Sequence, residues 1–222
     1  MERKKNISMA VIKRLPKYYR YLKELLKSGV SRISSKELSE RIGFTASQIR
    51  QDLNCFGDFG QQGYGYNIKD LYEQIGNILG LTEEYNMVLV GSGNIGQAVA
   101  NYIYFEKIGF KISGIFDRNP KLIGLRIRDI EIKDIDLLEI FLQENNIDIG
   151  IICVPKENAQ DVCSVLVDNH VRGIWNFAPV DLEVKGDVIV ENVHLSESLL
   201  TLSCLLNGSN NYKNKVIKHK TI

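Results

Sequence analysis

The stretch "VLVGSGNIG", residues 88–96, restricts the possible folds of this chain more than any other feature. An apolar run ends in three glycines at spacings of two and three, and a helical pattern follows in "QAVANYIYF". The first glycine permits a tight turn, the second lets the backbone approach a pyrophosphate, and the third lets the helix pack on the strand. We therefore predict a dinucleotide-binding turn. Its expected contacts are Gly91, Ser92, Gly93, Asn94, Ile95 and Gly96.

Strands and helices alternate after this turn and predict an α/β fold. "KISGIFD", "IDIGIICV" and "RGIWNFAP" have the composition of buried strands, whereas "DIDLLEIFLQENN" and "KENAQDVCSVLVDN" have helical periodicity. This alternation is typical of a Rossmann doubly wound parallel sheet, which we place at residues 81–193, with the boundary in "LTEEYN". "LEVKGDVIVENV" predicts a terminal hairpin that turns at residues 185–187.

The second strand ends in Asp117, 21 residues after Gly96. An acidic side chain at this distance accepts both ribose hydroxyls, which favours NADH and NAD+ over their 2′-phosphorylated analogues. Two alternatives remain open, because Arg118 would tolerate a 2′-phosphate and Asp117 would also serve as a plain strand-end cap. Ligands of such sheets lie at the carboxyl ends of the strands. The further predicted contacts are therefore Arg118, Val154, Pro155, Asn176 and Phe177.

Residues 1–80 predict a different module. "SSKELSERIG" and "TASQIRQDL" each open with a residue that favours helix starts, Ser34 and Thr45, followed three residues later by Glu37 and Gln48. Two short helices joined by a tight glycine-containing turn are typical of a helix-turn-helix. The next segment, "FGDFGQQGYGYN", is rich in glycine and aromatic residues and predicts a β-ribbon wing. We therefore expect a winged helix-turn-helix domain.

The predicted second helix carries side chains that suit double-stranded DNA. Arginine and glutamine pair with base edges, and hydroxyl groups bind phosphate oxygens. The predicted contacts, including those of the wing, are Thr45, Ser47, Gln48, Arg50, Gln51, Gln61, Gln62 and Tyr64. A helical domain that docks on protein, with a plain hairpin instead of a wing, is the alternative.

Charge is distributed unevenly along the chain. Residues 1–80 hold 14 Lys and Arg against 8 Asp and Glu, while the remaining 142 residues hold 14 against 19. A basic N-terminal part followed by an acidic remainder, called the body below, suggests that the N-terminal part binds a polyanion. Chance clustering of charges would also give such a difference. No apolar run is long enough for a membrane span or a signal peptide, so we expect no membrane partner and a cytoplasmic location.

The body lacks the residues that an oxidoreductase of this type needs. None of its three histidines follows a predicted strand beside a partner carboxylate or arginine, and no second domain is present for a substrate. The four cysteines have no metal-ligand spacing. Cys153 ends a strand near the predicted site, either as a reactive thiol or as a buried structural residue. We therefore expect no catalytic residue and no metal, with an NAD-dependent dehydrogenase as the alternative.

The last helix, residues 194–207, is apolar on much of its surface and predicts contact with a second copy of the chain. A homodimer also suits a helix-turn-helix, because two half-sites match a palindrome. The polar and basic segment 208–222 is expected to be a flexible tail.

With these features in place, the sequence resembles the bacterial redox-sensing repressors of the Rex family. The resemblance rests on "RLPKYYRYL", "ISSKELSE", "QIRQDL", "FGDFGQQGYGY", "VGSGNIGQAVANY", "NFAP" and "VENVHL". It implies a homodimeric winged-helix repressor with a Rossmann domain and a domain-swapped C-terminal helix, which NADH releases from operator DNA. Arg50 matches the recognition-helix arginine. Tyr102 matches a tyrosine that changes partner between the two redox states, and Arg20 matches the arginine through which the winged domain senses that change.

The sequence departs from the family pattern in three places: the recognition helix, the wing and the proposed switch. Gln51 stands where a lysine is common, and the wing has Gln61, Gln62 and Tyr64 where a basic residue and a valine are more usual. These differences remove positive charge from the DNA face and predict a smaller salt dependence of binding. His194 replaces an aspartate of the proposed switch, which predicts an altered or pH-sensitive redox response.

Overall fold

The computed structural model describes residues 7–56, 60–61 and 64–207, with the backbone alone at 60–61. The chain divides into two compact units whose boundary lies between Thr82 and Glu83. Gln62 and the tail 208–222 lie outside the described residues, and so does the side chain of Gln61. No helix in the described part of the chain has the length and apolar character needed to cross a membrane.

The first unit is a winged helix-turn-helix, as the sequence predicts. Its elements are α1 Met9–Ile12, α2 Leu15–Lys27, β1 Arg32–Ile33, α3 Ser35–Ile42, α4 Ala46–Asn54, β2 Gly60–Gln61, β3 Gly65–Asn67 and α5 Ile68–Ile78. The strands form an antiparallel sheet in the order β1-β3-β2, in which β2 and β3 are the wing. The helix-turn-helix is the pair α3 and α4.

The local signals at α3 and α4 explain where these helices begin and end. Ser34 accepts a hydrogen bond from the backbone N–H of Glu37, whose carboxylate accepts one from the N–H of Ser34, so the predicted capping box is present. α3 ends at Gly43, whose φ of +74° favours glycine. Thr45 caps α4 by accepting from the N–H of Gln48, but the return bond found at α3 is not formed here, so this capping box is only half right.

One apolar core holds the helices of the first unit together. Tyr18 and Leu22 of α2 are fully buried, and they pack with Ile49 and Leu53 of α4. The other buried apolar side chains of this core are Leu15, Leu25, Ile33, Leu38, Ile42, Tyr66, Ile68, Leu71 and Ile75. The polar side of α4 is thereby left facing outward.

The second unit is a Rossmann fold with a mainly parallel sheet. Its elements are β4 Tyr85–Val90, α6 Asn94–Ala100, β5 Phe110–Asp117, β6 Arg126–Ile127, β7 Ile130–Asp134, α7 Leu138–Glu144, β8 Ile149–Ile152, α8 Lys156–Asp168, β9 Gly173–Asn176, β10 Ile189–Asn192 and α9 Leu195–Asn207. Among the described residues, the strand order is β10-β9-β8-β4-β5-β7-β6, and only β6 is antiparallel. The α/β fold class is therefore confirmed.

The predicted terminal hairpin is wrong. Gly186 does make a turn, with a φ of +79°, but of the two flanking segments only Ile189–Asn192 becomes a strand. This strand, β10, lies parallel to β9 at the edge of the sheet. Leu182 and Val184 pack against the core of the sheet without belonging to a strand. Their apolar character therefore reflects burial of side chains and not pairing with a neighbouring strand.

Apolar surface remains exposed on the second unit. A groove of about 400 Å³ lies over β8, β9 and β10 and is lined mainly by apolar side chains, among them Phe105, Trp175 and Ile189. α9 buries none of its residues. Its exposed leucines are Leu195, Leu199, Leu200, Leu202, Leu205 and Leu206.

Candidate nucleotide site and nucleic-acid interface

The glycine turn between β4 and α6 has the geometry of a phosphate-binding turn. Gly91 has a φ of +97°, and a Cβ atom there would lie 2.6 Å from the carbonyl oxygen of Cys153. A Cβ atom at Gly96 would collide with the carbonyl oxygen of Gly91. By contrast, a Cβ atom at Gly93 would meet nothing within 4 Å. The first and third glycines are thus required by the protein itself, whereas the second leaves open space for a ligand.

A pocket of about 260 Å³ opens beside this turn, at the carboxyl ends of β4, β5 and β8. It brings together six residues that the sequence analysis selected: Gly91, Gly93, Asp117, Arg118, Val154 and Pro155. Asn119, Leu122, Ile135 and Asn158 also line it, and sequence reasoning did not select them. A lining that combines charged, polar and apolar residues suits a ligand that has both charged and apolar parts.

Asp117 supplies negative charge to this pocket. Its carboxylate accepts hydrogen bonds from the hydroxyl of Ser92 at 2.7 Å and from the backbone N–H of Asn119 at 2.8 Å. Burial disfavours the ionised form, but these bonds and one from the N–H of Ser92 outweigh it and hold the pKa of Asp117 below its ordinary value. Asp117 is therefore ionised at neutral pH, as a ribose-binding carboxylate must be.

The other predicted nucleotide contacts do not line the pocket. Asn94 and Ile95 are exposed in the first turn of α6, while Ser92 is fully buried. The side chain of Asn176 is used inside the protein, because it donates to Val180 and Asn192 and accepts from the N–H of Ala178. The Phe177 ring packs on Trp175 with centroids 4.7 Å apart. These residues stay predictions as contacts of a nucleotide.

Cys153 lines the same pocket, and burial raises its pKa to about 12. A thiol with such a pKa is protonated at neutral pH and is a poor nucleophile. This favours the interpretation of Cys153 as a structural residue.

The helix-turn-helix exposes the predicted DNA contacts on one side of α4. Thr45, Ser47, Arg50 and Gln51 are exposed, and Gln48 is half-buried. The guanidinium of Arg50 donates to the hydroxyl of Ser35 at 2.9 Å, so α3 holds this side chain in place. In the wing, Tyr64 is 71% exposed, and its carbonyl oxygen accepts from Arg32. Whether these side chains contact DNA stays a prediction.

The three predicted switch residues are all accessible within their own units. The Arg20 guanidinium lies over the Tyr21 ring, 5.3 Å from its centroid. Tyr102 follows the end of α6, is 53% exposed, and packs edge-on against Phe105. His194 Nε2 lies 3.2 Å from Oδ1 of Asp181, so a carboxylate from another segment lies beside residue 194.

Sequence reasoning missed Ser35, Asp181 and a buried carboxylate on α4, Asp52. Asp52 lies three residues after Ile49 and directly before Leu53, so the helical spacing itself places it on the buried face. No comparable signal points to Asp181, which is close to His194 only because β10 returns to the edge of the sheet.

Two family descriptions match this chain. "Putative DNA-binding protein N-terminus" matches residues 6–54, and "CoA binding domain" matches residues 82–180. The first match covers the helix-turn-helix, and the second covers most of the Rossmann fold. The two matches therefore fall on different units of the chain.

Individual relatives match nearly the whole chain. A protein of Clostridium acetobutylicum named "Redox-sensing transcriptional repressor Rex" is 72% identical over 210 residues, which are 95% of this chain and 98% of the relative. The crystal structure of RSP in complex with NAD+ and operator DNA is 58% identical with a TM-score of 0.88, covering 95% of this chain and 97% of RSP. RSP in complex with NADH is 56% identical with a TM-score of 0.86, covering 95% and 99%. The alternative dehydrogenase is not favoured, and the chain belongs to the Rex family of redox-sensing transcriptional repressors.

Proposed function

We propose that this protein is a transcriptional repressor that binds a palindromic operator as a homodimer and is released by NADH. One observation carries the proposal: RSP, crystallised both with NAD+ and operator DNA and with NADH, matches 95% of this chain across both of its units. A nucleotide whose oxidation state reports metabolism then acts as a signal and not as a reactant. The cytoplasm, where both DNA and NADH occur, is its proposed location.

The first unit, proposed as residues 1–80, binds DNA. α4 enters the major groove with Arg50 and Gln51 toward base edges, while Thr45 and Ser47 contact phosphates. Gln48 and the wing residues Gln61, Gln62 and Tyr64 complete the proposed interface. Two such units in a dimer read half-sites that are about 34 Å apart, one turn of DNA.

The second unit, proposed as residues 81–193, binds NADH and NAD+. The pyrophosphate lies on the turn beside Gly93, where the structure has open space, and the adenosine ribose binds Asp117. CoA is disfavoured although a matching family is described by that ligand, because its ribose carries a 3′-phosphate that the ionised Asp117 would repel. The same repulsion disfavours a 2′-phosphate.

The proposed dimer uses α9, residues 194–207. Leu195, Leu199, Leu202 and Leu206 recur at helical spacing and form one apolar stripe, which is exposed in the isolated chain. The apolar groove over β8, β9 and β10 is a complementary surface on the same unit. Exchange of α9 between two copies would cover both surfaces at once.

The two coenzyme forms differ in the charge and planarity of one ring. A ligand shifts a dimer between two arrangements only by its difference in affinity for them. If NADH prefers the non-binding arrangement about 100-fold, each site contributes about 2.7 kcal/mol. We propose Arg20, Tyr102 and His194 as residues of this switch, with Asp181 supplying the carboxylate that residue 194 lacks.

The decisive test is an electrophoretic mobility shift with a palindromic duplex, repeated with saturating NADH and with saturating NAD+. We expect NADH to dissociate the complex and NAD+ to preserve it. Equal affinity in both coenzyme forms would contradict the proposal. Asp117→Ala is the control, since it should still bind DNA but respond less to NADH.

A further inference from the structure

A carboxylate on the buried face of α4 is enclosed by partners from α2 and the segment before it. Only 3% of the Asp52 side chain is exposed. The guanidinium of Arg14 donates two hydrogen bonds to it, each 2.7 Å long, one to each carboxylate oxygen. The hydroxyl of Tyr18 donates to Oδ2 at 2.7 Å. Arg14 immediately precedes α2, so this cluster joins the start of α2 directly to α4.

The same end of α2 also contacts the turn that precedes α4. The ring of Phe44, in this turn, packs edge-on against Tyr18 with centroids 5.7 Å apart. The ammonium of Lys17 lies 4.8 Å from the centre of the Phe44 ring, and the guanidinium of Arg14 lies 5.9 Å from it. Both the start and the inner face of α4 are therefore held by α2.

Such a cluster is not explained by stability alone. Apolar side chains of similar volume often stabilise a core as well as a buried ion pair does, because the pair must lose its hydration. Ile49 and Leu53 would tolerate a small rotation of α4, since apolar contacts are not directional. A bidentate arginine–carboxylate pair requires one relative orientation of its two groups. What the cluster adds to the apolar core is a defined orientation of α4.

We propose that Asp52 is a positioning residue that sets the rotation of α4 about its axis, through Arg14 and Tyr18. This positioning role rests on the proposed DNA binding. Arg50 and Gln51 directly precede Asp52, so a rotation of α4 about its axis moves all three side chains together. A rotated helix would misdirect these side chains from base edges, while its charge would still attract the phosphates. Loss of the cluster therefore lowers discrimination between operator and other DNA more than it lowers binding to DNA in general.

The test replaces the whole cluster with apolar groups in the full-length protein. Arg14→Met, Tyr18→Phe and Asp52→Leu together leave no polar atom of the cluster without a partner. Affinities for the palindrome and for a scrambled duplex of equal length are measured by fluorescence anisotropy, and unfolding is followed by circular dichroism. We expect the ratio of the two affinities to fall about tenfold or more, the value of one well-formed base contact. Loss of the Arg14 charge affects both duplexes and cancels in the ratio.

A second pair of variants keeps the test informative if the triple variant does not fold. Asp52→Asn breaks the ion pair, whereas Leu22→Ala weakens the same core without touching the cluster. At a temperature where both are folded, the ratio should fall in Asp52→Asn and not in Leu22→Ala. An unchanged ratio in the triple variant or in Asp52→Asn, or an equal fall in Leu22→Ala, overturns the positioning role. If the unmodified protein itself does not prefer the palindrome, the proposed function fails instead.

Discussion

The two units of this protein expose surfaces of different chemical character, one polar and one apolar. α4 of the first unit exposes hydroxyl, amide and guanidinium groups over a closed apolar core. The second unit exposes an apolar groove and the leucine stripe of α9. Polar groups in fixed positions suit a hydrated, charged partner such as DNA, whereas apolar surface of this extent is normally covered by protein. Each of the two units therefore has its own fold and exposes a surface that suits a different kind of partner.

The same difference appears in two aspartates. Asp52 of the first unit has a cation and a hydroxyl as partners and is closed to ligands. Asp117 of the second unit accepts hydrogen bonds from the uncharged donors Ser92 and Asn119, and it faces a pocket that Arg118 also lines. A carboxylate paired with a half-buried guanidinium fixes structure, whereas one held ionised by uncharged donors beside a pocket is available to a ligand.

The largest effect is expected from charges in the leucine stripe. Leu199→Asp with Leu206→Asp places two carboxylates per chain on a surface that the proposed dimer buries. Each buried leucine contributes roughly 1.5–3 kcal/mol, so the four positions in a dimer together lose about 6 kcal/mol or more. We expect a monomer in sedimentation velocity experiments, with operator binding reduced by orders of magnitude.

Thr201→Asp is the matched control for this variant, because Thr201 lies outside the leucine stripe on the same exposed helix. It should sediment as the unmodified protein does. A Leu199→Asp, Leu206→Asp protein that stays dimeric would show that α9 is not the interface. The apolar surface of the second unit would then need another explanation.

The next effect concerns the polar surface of the first unit. Arg50→Ala should weaken operator binding by about 1–3 kcal/mol per half-site and relax sequence preference at one position. Ser35→Ala should do the same to a smaller extent, because it removes only the hydroxyl that orients Arg50. Anisotropy titrations against operators with single base changes measure both effects. An equal loss of affinity for every duplex would mean that Arg50 contacts a phosphate and not a base.

Two glycines of the nucleotide turn separate structure from binding in the second unit. Gly93 has a φ of −68°, which any residue adopts, and a side chain there meets open space. Gly93→Val should therefore leave unfolding unchanged but weaken NADH binding about tenfold, or roughly 1.4 kcal/mol, in calorimetric titrations. Gly91→Ala should instead destabilise the unit, because of its positive φ and its close approach to Cys153. The opposite pattern would mean that the nucleotide does not bind at this turn.

Much of this architecture was predictable from the sequence because its signals are local. The capping box at Ser34, the turn at Gly43 and the spacing of Gly91, Gly93 and Gly96 each depend on backbone requirements within a few residues. Such requirements act before any tertiary contact forms, so they can be recognised in the chain alone. They correctly identified the winged helix-turn-helix and the Rossmann turn.

The features that sequence reasoning missed depend on distant contacts. The two apolar segments around Gly186 alternate as a hairpin would, but alternation does not tell whether a strand pairs with its neighbour or with β9. Asn176 ends a strand where ligands bind, yet its amide is occupied by groups that approach from Val180 and Asn192. The helical spacing places Asp52 on the buried face of α4. Its partner Arg14 lies 38 residues away, so no local signal in the sequence pairs the two residues.

The smallest effect is the pH dependence of the Asp117 site. The pKa of Asp117 is lowered in the folded protein, so its hydrogen bonds stabilise the fold when pH exceeds the unfolded value near 3.9 and cease to do so as pH falls through the folded pKa. Ser92→Ala removes the hydroxyl that donates to this carboxylate. It should cost roughly 1 kcal/mol or less at pH 7, because solvent screens a partly exposed group. Denaturant titrations at descending pH should show this difference shrink. A difference that stays constant into acid would mean that Ser92 acts through packing, and Asp117 would lose its distinction from the closed carboxylate of Asp52.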